Sequence, residues 1–154
     1  MTERSVEHST FAVERTYDAS PERVFAAWAE SESKAQWFGD PEAGATEFEL
    51  DFRVGGRELN RGTVEGRSYT YEARYQDIVP NERIVYAYDM HLDDTRISVS
   101  LGTVELKPDG EGTRLAYTEQ GAYLDGLDTP EQREGGTGQL LDALDAWLAK
   151  ETGG

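Results

Sequence analysis

The stretch "GGTGQLLDALDAWLAK", Gly135–Lys150, decides how the rest of the chain is read. Leu140, Leu141, Leu144, Trp147 and Leu148 recur at helical spacing and form one apolar stripe. Just upstream, Thr129 can cap a helix, Pro130 suits its first position, and Gln132 stands at capping-box spacing. Gly135, Gly136 and Gly138 interrupt this pattern, and each costs about 1 kcal/mol against alanine inside a helix. Either the helix proper begins near Gly138, or the glycines leave room for something that approaches closely.

What precedes this helix reads almost wholly as strands. "FAVERTY" (Phe11–Tyr17) alternates apolar and polar residues, whereas residues 1–9 look like a frayed start. Two short helices follow. "ASPERVFAAWAE" has Ser20 as N-cap, Pro21 at the first position, and Val24, Phe25 and Trp28 on one face. "SESKAQWFGD" points Trp37 and Phe38 inward and ends at Gly39. The period then changes to two. Phe48, Leu50 and Phe52 share one face of Thr46–Val54, and Gly55-Gly56 breaks the run before "GRELNRGTV". Tyr69, Tyr71, Ala73 and Tyr75 share a face of Ser68–Val79, and Ile84, Tyr86, Tyr88 and Met90 share a face of the next strand. Arg96–Leu106 and "TRLAYTEQGA" complete a series of hairpins joined by "PNE", "DDT" and "KPDGEG". A single sheet must cover its apolar face. The final helix is the long element available to do so. The expected fold is therefore α+β, a curved antiparallel sheet wrapped around a long C-terminal helix, with two short helices after the first strand, all in one domain spanning 1–154.

Composition narrows the function. The 154-residue chain carries 31 acidic against 15 basic side chains, a formal net charge of −16. Such a surface repels phosphate backbones and anionic bilayers, so neither nucleic acid nor membrane is expected as a partner. With no cysteine, thiolate chemistry and cysteine-based metal sites are excluded. The N-terminus has no apolar core of a signal peptide, and no apolar run approaches membrane-spanning length, so a cytoplasmic location is expected. The scarcity of lysine (Lys34, Lys107, Lys150) against arginine reads as a compositional bias.

Several stretches resemble one family. "ASPERVFAAWAESESKAQWFG", the strand break at Arg53, Gly55 and Gly56, the hairpin "DIVPNERIVYAYDM", "GTRLAYTEQG" and the leucine-rich last helix are similar, in this order, to the START-like superfamily (SRPBCC, helix-grip fold). Within it the chain resembles the bacterial group named after the activator of the heat-shock protein ninety ATPase. The likeness runs from Phe11 to Leu148. It implies an apolar cavity beneath the C-terminal helix, of the kind that holds lipids, sterols, hormones or polyketides in other members, some of which catalyse cyclisation or dehydration there.

The expected function is thus to hold a small apolar or aromatic molecule between sheet and helix. A cyclase or dehydratase using the same cavity and a cochaperone-like protein-interaction module are the alternatives. Candidate lining residues are Trp28, Trp37, Phe48, Tyr71, Tyr86, Tyr88, Tyr117, Glu119, Leu140 and Leu144. A one-residue bulge would reverse any strand's set. If Leu115 and Tyr117 face inward, so does Glu119, which makes it the weak candidate for a general acid or base. Arg53, Arg57 and Arg61 are expected to form a solvated face or to pair with the abundant acids, the alternative being an arginine at the cavity mouth that binds a ligand carboxylate. Asp89, His91 and Asp93 share a strand face but precede a turn, so no metal site is expected there. "GGTGQ" lacks the Lys-Ser/Thr of a phosphate loop, and no cofactor is expected. A monomer and a homodimer both stay open.

Overall fold

The computed structural model describes residues 3–38 and 44–152. The order is β1 (Val6–Tyr17), α1 (Pro21–Ala29), α2 (Ser31–Trp37), β2 (Gly44–Leu50), β3 (Arg57–Val64), β4 (Arg67–Val79), β5 (Arg83–Leu92), β6 (Thr95–Asp109), β7 (Gly112–Leu124) and α3 (Pro130–Thr152). All strands join one seven-stranded antiparallel sheet in the order β1-β7-β6-β5-β4-β3-β2. The meander from β2 to β7 is continuous, and β1 closes it on the far side of β7. The α+β helix-grip architecture expected from the hydrophobic pattern is the one observed.

Two boundaries differ from the sequence reading. The start does not fray from Val6 onward, because Val6–Thr10 pair with Leu124–Gln120 of β7. The Asp125 carboxylate then holds the Ser5 N–H at 2.9 Å and the Arg4 guanidinium at 3.0 Å. Backbone hydrogen bonding, invisible to side-chain periodicity, orders this segment. Secondly, β2 stops at Leu50 and not at Val54, because the chain turns back at Asp51–Gly56. There a Cβ on Gly56 would stand 2.0 Å from the Asp51 carbonyl oxygen. Phe52 still reaches the core, edge-to-face on Phe25 and Tyr75. The expected stop at Gly39 lies outside the described residues.

Local signals placed the helices well. The Ser20 hydroxyl accepts from the Arg23 N–H at 3.3 Å, and the Thr129 hydroxyl accepts from the Gln132 N–H at 3.1 Å. Helix α3 runs unbroken from Pro130, so the glycines lie within it and it does not begin at Gly138. Leu141, Leu144 and Leu148 are buried, while Leu140 and Trp147 are half-buried at the margins of the stripe. Bulges occur in the pairing at Ala45/Glu47, Tyr75/Asp77 and Met90/His91. None interrupts the run of inward tyrosines on β4 and β5, so their alternation survives.

At one end of the concave face, Ile84, Val104, Leu106 and Leu115 of the sheet pack with Val24 of α1 and with Leu144 and Leu148 of α3. The Tyr17 hydroxyl ties β1 to the Leu141 carbonyl of α3 at 2.9 Å. The other end carries the tyrosines.

Candidate functional site

Moving along the strands away from the aliphatic end, the inner face of β6 changes from Leu106 and Val104 to Gly102, Ser100 and Ser98, all buried. These side chains are too short to fill the space beneath α3, and contact at Ser98 is made by the long Arg133 side chain of the helix reaching down. Tyrosines of the adjoining strands lean over them instead. A Cβ on Gly102 would stand 2.8 Å from the Tyr117 hydroxyl and 2.9 Å from Tyr86 Cζ. A Cβ on Gly121 would likewise stand 2.9 Å from the ring of Tyr123. The helix contributes equally little, since a Cβ on Gly136 would meet nothing within 4 Å. Between these tyrosines and the helix, where Gly136 projects no side chain, lies a cavity of about 590 Å³.

Of the ten expected lining residues, Trp28, Tyr71, Tyr86, Tyr88, Tyr117 and Leu140 border this cavity. The other four stand outside its wall. Trp37 lies behind Trp28, edge-to-face at 4.8 Å, with its indole N–H on the Ala27 carbonyl at 3.0 Å. Leu144 is one turn beyond Leu140, in the packed end. Phe48 is half-buried on β2, the edge strand farthest from β1 and β7. Glu119 faces inward as alternation requires, but the tyrosines cover it.

Glu119 is the hub of a buried hydrogen-bond network. One carboxylate oxygen accepts from the Tyr88 and Tyr117 hydroxyls at 2.6 and 2.7 Å, the other from Tyr123 at 3.3 Å. Tyr86 donates in turn to Tyr117 at 3.3 Å. Arg133 approaches within 3.5 Å and gives one N–H to the Tyr88 hydroxyl at 2.8 Å. Its other terminal nitrogen reaches Ser98 Oγ at 2.7 Å and the Asp128 carboxylate. Burial and the Glu119 charge push Tyr86 and Tyr117 well above the ordinary phenol range. Tyr88 and Tyr123 rise for the same reasons despite Arg133 beside them. These four phenols therefore keep their protons at physiological pH. With its lone pairs occupied, Glu119 organises the tyrosines and does not present itself to the cavity as a base.

A second charged pair lies behind the aromatic wall. Lys34 Nζ is 2.6 Å from Glu58 Oε1, which also accepts from the Tyr75 hydroxyl at 2.6 Å. The ammonium faces the rings of Phe38 at 4.3 Å and Trp28 at 5.2 Å. Burial lowers the Lys34 pKa, and the Glu58 carboxylate works against that shift.

Three wall residues carry buried polar atoms without a hydrogen-bond partner: Trp28 Nε1, Asn60 Oδ1 and the Tyr71 hydroxyl. Tyr71 lies close enough to Tyr86 to act on it, though not at bonding geometry.

Arg133, Lys34, Glu58 and Asn60 escaped the sequence reading, although their positions left a signal. Arg133 extends the helix stripe backwards, four residues before Thr137 and seven before Leu140. Lys34 precedes the inward Trp37 by three residues. Glu58 and Asn60 alternate in step with Gly62. Charge alone argued for the surface, and here the periodicity was the better guide. By contrast Arg53, Arg57 and Arg61 pair at half-exposed to exposed sites with Asp51, Glu72 and Glu47, as expected. Asp89 pairs with Arg96 and Asp93 with Arg67. Among the described residues no cluster of three His, Asp or Glu side chains could hold a metal ion, and no helix is long and apolar enough to cross a membrane.

Comparison with solved structures gives the same architecture. The chain is similar to an uncharacterized protein from Rhizobium leguminosarum, with 45% identity, a TM-score of 0.92, and coverage of 97% of this chain and 99% of that one. A Rhizobium loti protein is 50% identical with a TM-score of 0.86, over 93% of this chain and 99% of the other. A Chromobacterium violaceum protein is 28% identical with a TM-score of 0.77, over 89% and 94%. No curated protein matches the chain. The family model described as Activator of Hsp90 ATPase homolog 1-like protein matches residues 18–149, and the chain belongs to that family.

Proposed function

We propose that the protein binds a small, mainly apolar molecule with aromatic character in the cavity between α3 and the tyrosine-bearing strands. The observation that carries this reading is the hollow itself. It has about 590 Å³ of space walled by seven aromatic rings together with aliphatic and polar side chains, and three wall residues carry unpaired polar atoms. That volume falls in the range of roughly 300–1,000 Å³ common for small-molecule sites. Each unpaired buried polar group costs about 1–3 kcal/mol, and empty space in a core carries its own cost. An occupant that fills the space and meets those atoms offsets both.

Binding is favoured over turnover, because Glu119 is fully engaged by phenols and Arg133 behind the wall. It is favoured over a cochaperone-like module, because such a module calls for a filled core beneath α3.

Native mass spectrometry of the purified protein, followed by denaturing extraction, tests the proposal. A stoichiometric apolar adduct, or thermal stabilisation by members of an aromatic panel, is the expected result. A ligand present at a hundredfold excess over its Kd adds about 2.7 kcal/mol of stability. Neither an adduct nor any stabilisation across the panel would sink the idea.

A further inference from the structure

Resting on that reading, we infer that the cavity selects occupants that donate hydrogen bonds, aryl compounds bearing an alkylammonium group above all, and discriminates against carboxylates. The phenol hydrogens set the polarity of the wall. Tyr88, Tyr117 and Tyr123 spend their protons on Glu119, and Tyr86 spends its proton on Tyr117. A carboxylate hub accepts and never donates, so it turns every hydroxyl in the chain the same way. What remains at the free end of the chain is phenolic lone pair. Asn60 Oδ1, on a side chain nine-tenths buried in the same wall, is a second acceptor without a partner. Trp28 Nε1 and the unpaired Tyr71 hydroxyl are the opposing cases, and each can donate to one acceptor on the occupant.

Charge points the same way. Arg133 is the cation among the described lining residues, and it is already committed to Tyr88, Ser98, Asp128 and Glu119. One guanidinium against two carboxylates leaves that side of the site with a formal charge of −1. Lys34 and Glu58 cancel each other at 2.6 Å. An incoming carboxylate would meet neutral donors but no free cation among the described lining residues, and would face that net negative charge. An ammonium would meet acceptors, ring faces and net negative charge.

The test uses three probes of one shape: biphenyl, para-phenylbenzylamine and para-phenylbenzoate. Binding is read from the fluorescence of Trp28 and its neighbours and confirmed by calorimetry. The amine is expected to bind at least about tenfold tighter than the carboxylate, with biphenyl between them. The preference should persist at high salt, where charges more than a few ångströms away are screened and the overall acidity of the chain no longer counts. Tyr86→Phe removes one of the outward-facing oxygens and keeps the ring. It should weaken the amine about fivefold relative to biphenyl.

Carboxylate binding equal to or tighter than amine binding, with biphenyl still bound, overturns this inference and leaves the cavity reading standing. An amine preference that Tyr86→Phe does not touch overturns the phenol chain as its cause. If none of the three binds, biphenyl included, the cavity reading falls and takes this inference with it.

Discussion

The two ends of the concave face are built on the same strands and solve opposite problems. At one end β5, β6 and β7 present Ile84, Val104 with Leu106, and Leu115; at the other they present Tyr86 with Tyr88, Ser98 with Ser100 and Gly102, and Tyr117 with Glu119. Helix α3 switches at about the same level, from Arg133, Gly136, Thr137 and Leu140 over the cavity, through Leu141 at the boundary, to Leu144 and Leu148 over the packed end. One backbone therefore carries both a stability-bearing half and a hollow half. Sheet geometry is common to both, and side-chain volume on β6 and α3 separates them.

The largest expected effect is alkaline. Tyr17, Tyr71, Tyr75, Tyr86, Tyr88, Tyr117 and Tyr123, seven in all, have pKa values raised chiefly by burial. The unfolded chain releases these protons near the ordinary phenol value and the folded chain does not, so above about pH 10 the folded state binds more protons. Stability is then lost as pH rises, by up to about 1.4 kcal/mol per pH unit for each such tyrosine. Phenolate absorbance from these residues should appear together with the loss of circular dichroism. Phenolates that appear well before unfolding would show that the hollow half is wet.

Two leucines four residues apart sharpen the contrast. Leu144 lies in the packed end with no exposed surface, and Leu140 is half-buried at the cavity. Leu144→Ala should cost about 2–5 kcal/mol in denaturant unfolding. Leu140→Ala, which enlarges existing space, should cost about half as much or less. Equal losses would erase the distinction between the halves.

The layout of strands and helices was legible because it rests on periodicity, caps and turn residues. The inward faces of β4 and β5 were legible because no bulge falls within their tyrosine runs. The cavity was legible only in outline. Its wall depends on which ring leans over which glycine, and Gly102 belongs to a different hairpin strand from Tyr117. The buried charges were missed because Arg133, Lys34 and Glu58 are each tolerable only with partners brought from distant elements. A single position in the sequence does not announce such a partner.

Gly102 supplies the next test. Gly102→Ala drives a methyl group into Tyr86 and Tyr117. It should cost about 1–3 kcal/mol if the rings hold their places. A neutral result would mean that the rings move freely into the hollow, which makes the cavity softer than its outline. The smallest effect runs in the opposite direction. Gly135 and Gly136 both have open space where a Cβ would stand. Alanine at either should stabilise α3 by about 1 kcal/mol. Only Gly136 borders the cavity, so Gly136→Ala should also alter ligand affinity while Gly135→Ala leaves it unchanged. The same response from both variants would separate the cavity from the glycine.

Those glycines have a consequence in time as well as in space. Each lowers the local helix-forming free energy by about 1 kcal/mol, and they sit in the turns of α3 that leave the cavity behind rather than in those sealed by Leu144 and Leu148. Amide hydrogens around Gly135–Gly138 are therefore expected to exchange with solvent well ahead of those in the leucine turns, by local opening and without global unfolding. The helix can loosen at one end while its other end stays clamped. On that account, the residence time of an occupant is expected to follow the opening rate of a single helical turn.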